Sequence, residues 1–305
     1  MLDRASIDLS TMSDKASFLD PRDFLASQLI RGQLALVLGA GVSVGFGLPN
    51  WPKLLAFLEE RLTNKRPDNI SDEAFAEKLW RDSGRDDDAF AEHVSTALYS
   101  EYKGTADDLA NDRLLASIGA LARPAKRGSV SHIVSFNFDD LIEMHLEYFG
   151  ITCLSTARMP AWDSSRADVK ILHPHGLLPF SKTRDATKIV FTQKDYDRVI
   201  GQSSNIWRTK LLDIFSSNTC LFLGLSGKDG NLRSVLEETK DRHVAKKRGD
   251  AYWGIRISSD ENDPARDEWD DKGVSQYTLS SYSQLPGFLS EICRRAATSA
   301  DTLLG

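Results

Sequence analysis

Four short stretches of the chain hold residue types that chemistry uses: "GAGVSVGFGLPNW" from Gly39, "SFNFDD" from Ser135, "LHPHGLLP" from Leu172 and "LFLGLSGKDGNL" from Leu221. In the first, Gly39 and Gly41 let backbone N–H groups approach a pyrophosphate at a helix start, and Ser43 adds a hydroxyl. The dinucleotide fingerprint G-x-G-x-x-G is incomplete, because Val44 stands where the third glycine belongs. A tight strand-to-helix turn is therefore an equal reading. In the second, Asn137 and Asp139 share one side of an extended backbone, since side chains alternate along a strand. Asp139 or Asp140 can also cap the helix that follows, and Asp140 is the expected cap. In the third, His173 and His175 flank a proline ahead of Gly176. An imidazole titrating near neutral pH exchanges protons with a sugar hydroxyl or with water. Metal is the weaker reading, because no carboxylate or cysteine lies alongside to complete a ligand set. In the fourth, Gly224 and Ser226 suit close approach to ribose or phosphate, and Asp229 or Asn231 suits a helix cap.

Each of these stretches leaves an apolar run: "LALVL", "HIVSF", "VKIL" and "TCLFL". A continuous run of strand length fits a strand buried on both faces, as in a parallel sheet. Amphipathic segments alternate with the runs, among them "NIWRTKLLDIFSSN" and "SQLPGFLSEICRRAAT". The alternation predicts a doubly wound, mostly parallel, Rossmann-like α/β sheet. In such a sheet ligands sit outside the carboxyl ends of the strands, near the switch in strand order. The expected organisation is a polar arm over 1–20, one domain over 21–295 with a helical insert at 52–125, and a tail over 296–305. Asp20 is expected to cap a first helix that stops at Gly32. Within the insert, Phe75, Leu79, Trp80, Phe90, Val94 and Leu98 are expected to be core, and the run Asp86–Asp88 to start a helix.

Composition narrows the partners. A net charge of −6 over 305 residues argues against direct binding of nucleic acid, which needs concentrated lysine and arginine. Three scattered cysteines, Cys153, Cys220 and Cys293, have neither the spacing of a zinc module nor that of a disulfide framework. No apolar stretch is long enough to span a bilayer, and the amino terminus lacks the apolar core of a signal peptide. A cytoplasmic location is expected.

Taken together and in order, the four loops resemble the sirtuin family. "GAGVS…GLPNW" is similar to its GAG-[IV]-S and G-[IL]-P, "FNFDD" to its Q-N-[IV]-D, "HPHG" to its H-G, and "GLS" to its G-[TS]-S. "VFTQKDYDRVI" and "FLGLSGKDGNLRSVL" look more like the SIR2-like branch of bacterial antiphage proteins. The resemblance implies a sirtuin-like fold and NAD as substrate. Gly39, Ala40, Gly41 and Ser43 would hold its pyrophosphate. Asn137 would bind the nicotinamide ribose and place the attacking water, Asp139 would hold the carboxamide, and His175 would be the base. Gly224, Ser226, Asp229 and Asn231 would line the adenosine side, while His173 has no counterpart. Two departures matter: no four-cysteine zinc module can be built, so zinc is not expected, and "GLPNW" replaces the G-[IL]-P-D-F-R of deacylases. The implied activity is hydrolysis of NAD+ to nicotinamide and ADP-ribose, depleting NAD during phage infection and stopping growth. Control by homo-oligomerisation or by an operon-encoded partner, a HerA-like ATPase in some such systems, is expected with it. The alternatives are a NAD-dependent deacylase or ADP-ribosyltransferase, and a non-catalytic sensor of NAD or ADP-ribose.

Overall fold

A computed structural model describes residues 20–63, 65–158, 166–227, 230–245 and 252–304. Seven strands form one sheet: β1 (Leu34–Leu38), β2 (His132–Ser135), β3 (Cys153–Thr156), β4 (Val169–Leu172), β5 (Thr219–Leu223), β6 (Gly254–Ser258) and β7 (Val274–Thr278). Their order is β3-β4-β2-β1-β5-β6-β7, and every pairing is parallel. From β1 the chain first builds outward on one side and then returns with β5 on the other. The switch in strand order thus falls at β1, and all seven carboxyl ends share one edge of the sheet.

Strand β1 has the burial that its apolar run predicts: all five residues are fully buried. Alternation sends Leu34, Leu36 and Leu38 into one core, and Ala35 and Val37 into the other. The second core packs α9 (Ile206–Ser217), α10 (Gly230–Ala245) and α11 (Arg266–Asp271) against the sheet. The first core takes α1 (Pro21–Ile30), α7 (Leu141–Tyr148) and α12 (Leu285–Leu304), together with the helices that join β1 to β2. Those are α2 (Trp51–Arg61), α3 (Asp72–Asp82), α4 (Asp87–Leu98), α5 (Ala106–Asn111) and α6 (Arg113–Ala122). The expected core residues Phe75, Leu79, Phe90, Val94 and Leu98 are buried in the same cluster as Leu36, and Trp80 packs partly buried against it. The helical region is thus one long crossover sharing the core of the sheet.

Helix starts follow local chemistry. Asp20 caps α1 by accepting from the Arg22 N–H at 3.0 Å, and Asp86 caps α4 by accepting from Asp88 and Ala89. Asn50 caps α2, and Trp51 packs its ring 4.8 Å from that of Phe191. The residues that depart from the deacylase pattern thus start a helix and fill a core. Asp20 also accepts from Arg295 at 2.9 Å, which ties the two ends of the described chain together.

Three features differ from the sequence reading. β3 was not anticipated: it is a four-residue edge strand whose side chains are mostly half-buried, so its sequence carries no continuous apolar run. α12 continues without a break through the residues expected to form a tail, as far as Leu304. The cap at the end of β2 is also reassigned. Asp139 Oδ1 accepts from the Leu141 N–H at 3.2 Å, while the Asp140 side chain makes no cap bond. Instead Asp140 accepts from the Phe180 N–H at 2.8 Å and from Arg184 Nη1 at 2.9 Å. Arg184 makes a fixed charged donor, and its pull wins over the local cap. The residues expected to form the amino-terminal arm lie, apart from Asp20, outside the described residues.

Candidate functional site

The loops after β1, β2, β4 and β5 meet at the carboxyl edge of the sheet. At its centre three side chains hydrogen-bond one another. Ser43 Oγ donates to Asp139 Oδ2 at 2.8 Å, and Asn137 Nδ2 donates to Ser43 Oγ at 3.2 Å and to the Gly39 carbonyl at 3.1 Å. A carbonyl only accepts, so the contact with Gly39 fixes which end of the Asn137 amide is the nitrogen. Both amide hydrogens are then committed, and Oδ1 is the atom Asn137 has for a water or a ribose hydroxyl. Asn137 and Asp139 do lie on one side, as alternation requires, and Ser43 joins them.

Backbone geometry locks the loops after β1 and β5 together. Gly39 N–H donates to the Leu223 carbonyl at 2.9 Å, and Gly41 N–H to the Gly224 carbonyl at 3.0 Å. Gly224 takes φ +68°, and a Cβ there would lie 2.8 Å from Val42 N and 2.9 Å from Gly41 Cα. These glycines therefore let two backbones interlock at the switch point. The N–H groups of Gly39 and Gly41, offered by the sequence as phosphate donors, are bonded within the fold. Ala40 is half-exposed at the start of the short helical turn Ala40–Val42, and Ser226 is exposed. Asn231 is the second residue of α10. Asp229 lies outside the described residues.

His175 enters on the turn His173–Gly176, closed by Gly176 N–H donating to the His173 carbonyl at 3.1 Å. Gly176 holds φ +90°, where a Cβ would fall 2.3 Å from the Lys188 carbonyl, so only glycine fits. The His175 ring packs edge-on to Phe136, the neighbour of Asn137, at 4.8 Å, and to Tyr196 at 5.1 Å. Tyr196 ends the short helix α8 (Gln193–Tyr196), which passes directly into a π-helical turn, Asp197–Gly201. Such turns concentrate at functional sites. The sequence reading did not single out Tyr196. Its signal is the capping box of Thr192 and Asp195, which fixes where α8 begins and hence where Tyr196 falls.

The His173 ring is turned to a carboxylate and a backbone carbonyl, Glu143 at 2.7 Å and Asn137 at 3.3 Å. Among the described residues, no group of three or more His, Cys, Asp and Glu side chains is placed to hold a metal ion. The sequence reading did not single out Glu143 either: it is a carboxylate on the buried side of α7, and its partners His173 and Ser155 come from other segments of the chain.

The site is closed. Ser43, Asn137, Asp139 and His175 are 3%, 8%, 6% and 5% exposed. Burial raises the Asp139 carboxyl from 3.8 to about 6, against hydrogen bonds from Ser43 and Leu141 that lower it. An acid with a raised folded pKa holds its proton more tightly when folded. Its contribution to stability is therefore present below about pH 4 and lost as pH climbs through about 6. Asp139→Asn should then gain stability over the parent protein between pH 4 and pH 7. At about 1.36 kcal/mol per pH unit, the gap between 3.8 and about 6 sets that gain at up to ~3 kcal/mol. Thermal melts of both proteins across this range check it, and a constant difference would remove the raised carboxyl.

The fold and site define a class: a doubly wound, all-parallel α/β protein whose candidate site spans the switch point at the carboxyl edge. Within the chain, residues 131–277 match the family model of the SIR2-like domain. The match begins after the loop of Gly39–Ser43, which the tertiary structure alone joins to Asn137 and Asp139. No curated protein matches the chain in sequence. Solved structures resemble it distantly. One, described as the structural basis for the mechanism and regulation of Sir2 enzymes, has 13% identity over 93% of this chain and 100% of its own, with a TM-score of 0.46. Another, a Sir2 homolog–NAD complex, has 15% identity over 91% of this chain and 94% of its own, with a TM-score of 0.44. The fold assignment rests on the sheet itself.

Proposed function

We propose that this protein hydrolyses NAD+ to nicotinamide and ADP-ribose. The observation that carries the reading is the bonded set Ser43–Asn137–Asp139, beside His175, at the switch point of the sheet, in a chain whose residues 131–277 match the SIR2-like domain model. The fit is chemical. The set offers an amide oxygen, a hydroxyl and a carboxylate in a site shielded from bulk water, where polar groups act strongly. In this reading Asn137 Oδ1 orients water toward the ribose carbon that bears nicotinamide. The bond from that carbon to nitrogen breaks, and nicotinamide leaves with the electron pair. Water oxygen bonds to the same carbon and gives its proton to His175. Asp139 holds the carboxamide, and Gly39, Ala40, Gly41, Ser43, Gly224 and Ser226, with Asp229 and Asn231, flank the remaining dinucleotide.

The burial of all four central side chains favours a gated enzyme, because substrate must open the edge to reach them. This agrees with the proposed biological role, an effector of antiphage abortive infection that empties the cell of NAD when released from control. Homo-oligomerisation or an operon-encoded partner such as a HerA-like ATPase would supply the control. The test is incubation of purified protein with NAD+, alone and with the product of the neighbouring gene, following nicotinamide by chromatography. Release of nicotinamide with free ADP-ribose is expected. O-acetyl-ADP-ribose formed from an acetylated peptide would replace this reading with the deacylase one, and intact NAD under both conditions would end it.

A further inference from the structure

We infer that His173 is a positioning residue that sets Asn137 and His175 against each other; the inference rests on the NAD-hydrolase reading above. Three contacts carry it. The His173 N–H donates to the Thr156 carbonyl on β3 at 2.8 Å, so the residue is anchored to the sheet. Its carbonyl accepts from Gly176 and closes the turn that presents His175. Its ring reaches the Asn137 carbonyl through Nδ1 at 3.3 Å. One residue therefore links the peptide of the water-placing amide to the turn of the base, across a gap of 36 positions in sequence.

The chemistry of the ring gives the link its direction. The Asn137 carbonyl can only accept, so Nδ1 carries a hydrogen. Nε2 faces Glu143 Oε1 at 2.7 Å, and that oxygen also accepts from Ser155 Oγ at 2.8 Å, which is the pattern of an ionised carboxylate. Both ring nitrogens are then donors, and the ring is an imidazolium. The pair is buried, with side chains 1% exposed. Burial opposes charge on each partner, yet their mutual attraction prevails: the ring is held above its ordinary value and Glu143 below its own. Asp139 is the other carboxylate acting on the ring, and it acts in the same direction. A buried ion pair is weak support for stability and is best explained by the geometry it specifies. Without the charge from Glu143 the ring is neutral, and a neutral imidazole donates a weaker hydrogen bond to the Asn137 carbonyl than an imidazolium does.

The experiment compares the parent protein with His173→Gln and Glu143→Gln, and with each of these added to Asn137→Ala. Nicotinamide release is measured under the condition in which the parent is active. Either single change should lower kcat by about 10- to 100-fold, the cost of misplacing a reacting group by a fraction of an ångström to an ångström. KM for NAD+ should stay within about threefold, because no binding contact is removed. Added to Asn137→Ala, each should lower kcat by less than it does alone, since one of the two groups being positioned is already gone. Nitrogen-15 spectra of labelled histidine should show both ring hydrogens of His173 at pH 7.5, and the loss of one in Glu143→Gln. Should His173→Gln not fold, Glu143→Gln keeps the volume and the bond from Ser155 and carries the same test. A parent that cleaves NAD+ with unchanged kcat in the single variants, or with losses that add fully to that of Asn137→Ala, overturns the inference and leaves the NAD reading standing. A parent that neither binds nor cleaves NAD+ overturns both, and the parent assay alone distinguishes that case.

Discussion

Alanine at Asn137 should cut nicotinamide release by about 100- to 1000-fold, the usual cost of losing one preorganised polar group at a reacting centre. His175→Ala should cost about 100- to 10,000-fold, the range for a general base. The two residues differ in what else they hold. Asn137 bridges the Gly39 carbonyl and Ser43, so its alanine variant also gives up two buried hydrogen bonds, at about 1 kcal/mol each. That loss lowers the melting temperature modestly and leaves a folded protein, because the cores on both faces of β1 are untouched. Rates must therefore be compared below the melting range of both variants. Full activity in either variant would remove the residue from the chemistry and take the proposed mechanism with it.

Gly224→Ala should be strongly destabilising. The left-handed conformation at φ +68° costs a non-glycine residue about 1–2 kcal/mol. The new Cβ would also lie within 2.9 Å of backbone atoms of Val42, Gly39 and Gly41, which cannot swing aside as a flexible side chain can. Overpacking of that kind adds about 1–3 kcal/mol, so the sum is about 2–5 kcal/mol. That is a large part of the stability of an ordinary domain. Gly32→Ala is the internal control: its φ is +63°, but nothing lies within 4 Å of the added carbon, so only the backbone cost applies. Denaturant midpoints of the two variants should differ widely. Equal midpoints would show that the β1 and β5 loops are not interlocked as described. Binding of NAD+ should also weaken in Gly224→Ala, because the same backbone holds Ser43 in reach of Asn137.

How much of this was legible beforehand depends on the range of each interaction. The strands β1, β2, β4 and β5 were readable, since burial on both faces demands an apolar run that shows directly in sequence. The caps at Asp20, Asn50 and Asp86 are local, formed within three residues of the helix start. Asp140 failed as a cap because Arg184, 44 positions away, offers it a charged donor. Gly39 and Gly41 read as phosphate donors because a glycine-rich turn looks alike whether its N–H groups face a ligand or another strand exit. Tyr196, Glu143 and the second role of His173 had no local signal strong enough to single them out.

The amino-acid sequence by itself determined the alternation of strand and helix, the parallel character of the sheet and the four loops where chemistry would gather. These follow from periodicity, turn residues and capping, all of which act over a few positions of chain. Only the tertiary structure decided which of those residues touch. It placed Ser43 between Asn137 and Asp139, spent the Gly39 and Gly41 N–H groups on the neighbouring loop, and buried an ion pair under the Asn137 peptide. Such contacts form between segments dozens of positions apart. Their partners are chosen by how two faces of one sheet pack, a quantity that no stretch of neighbouring residues encodes.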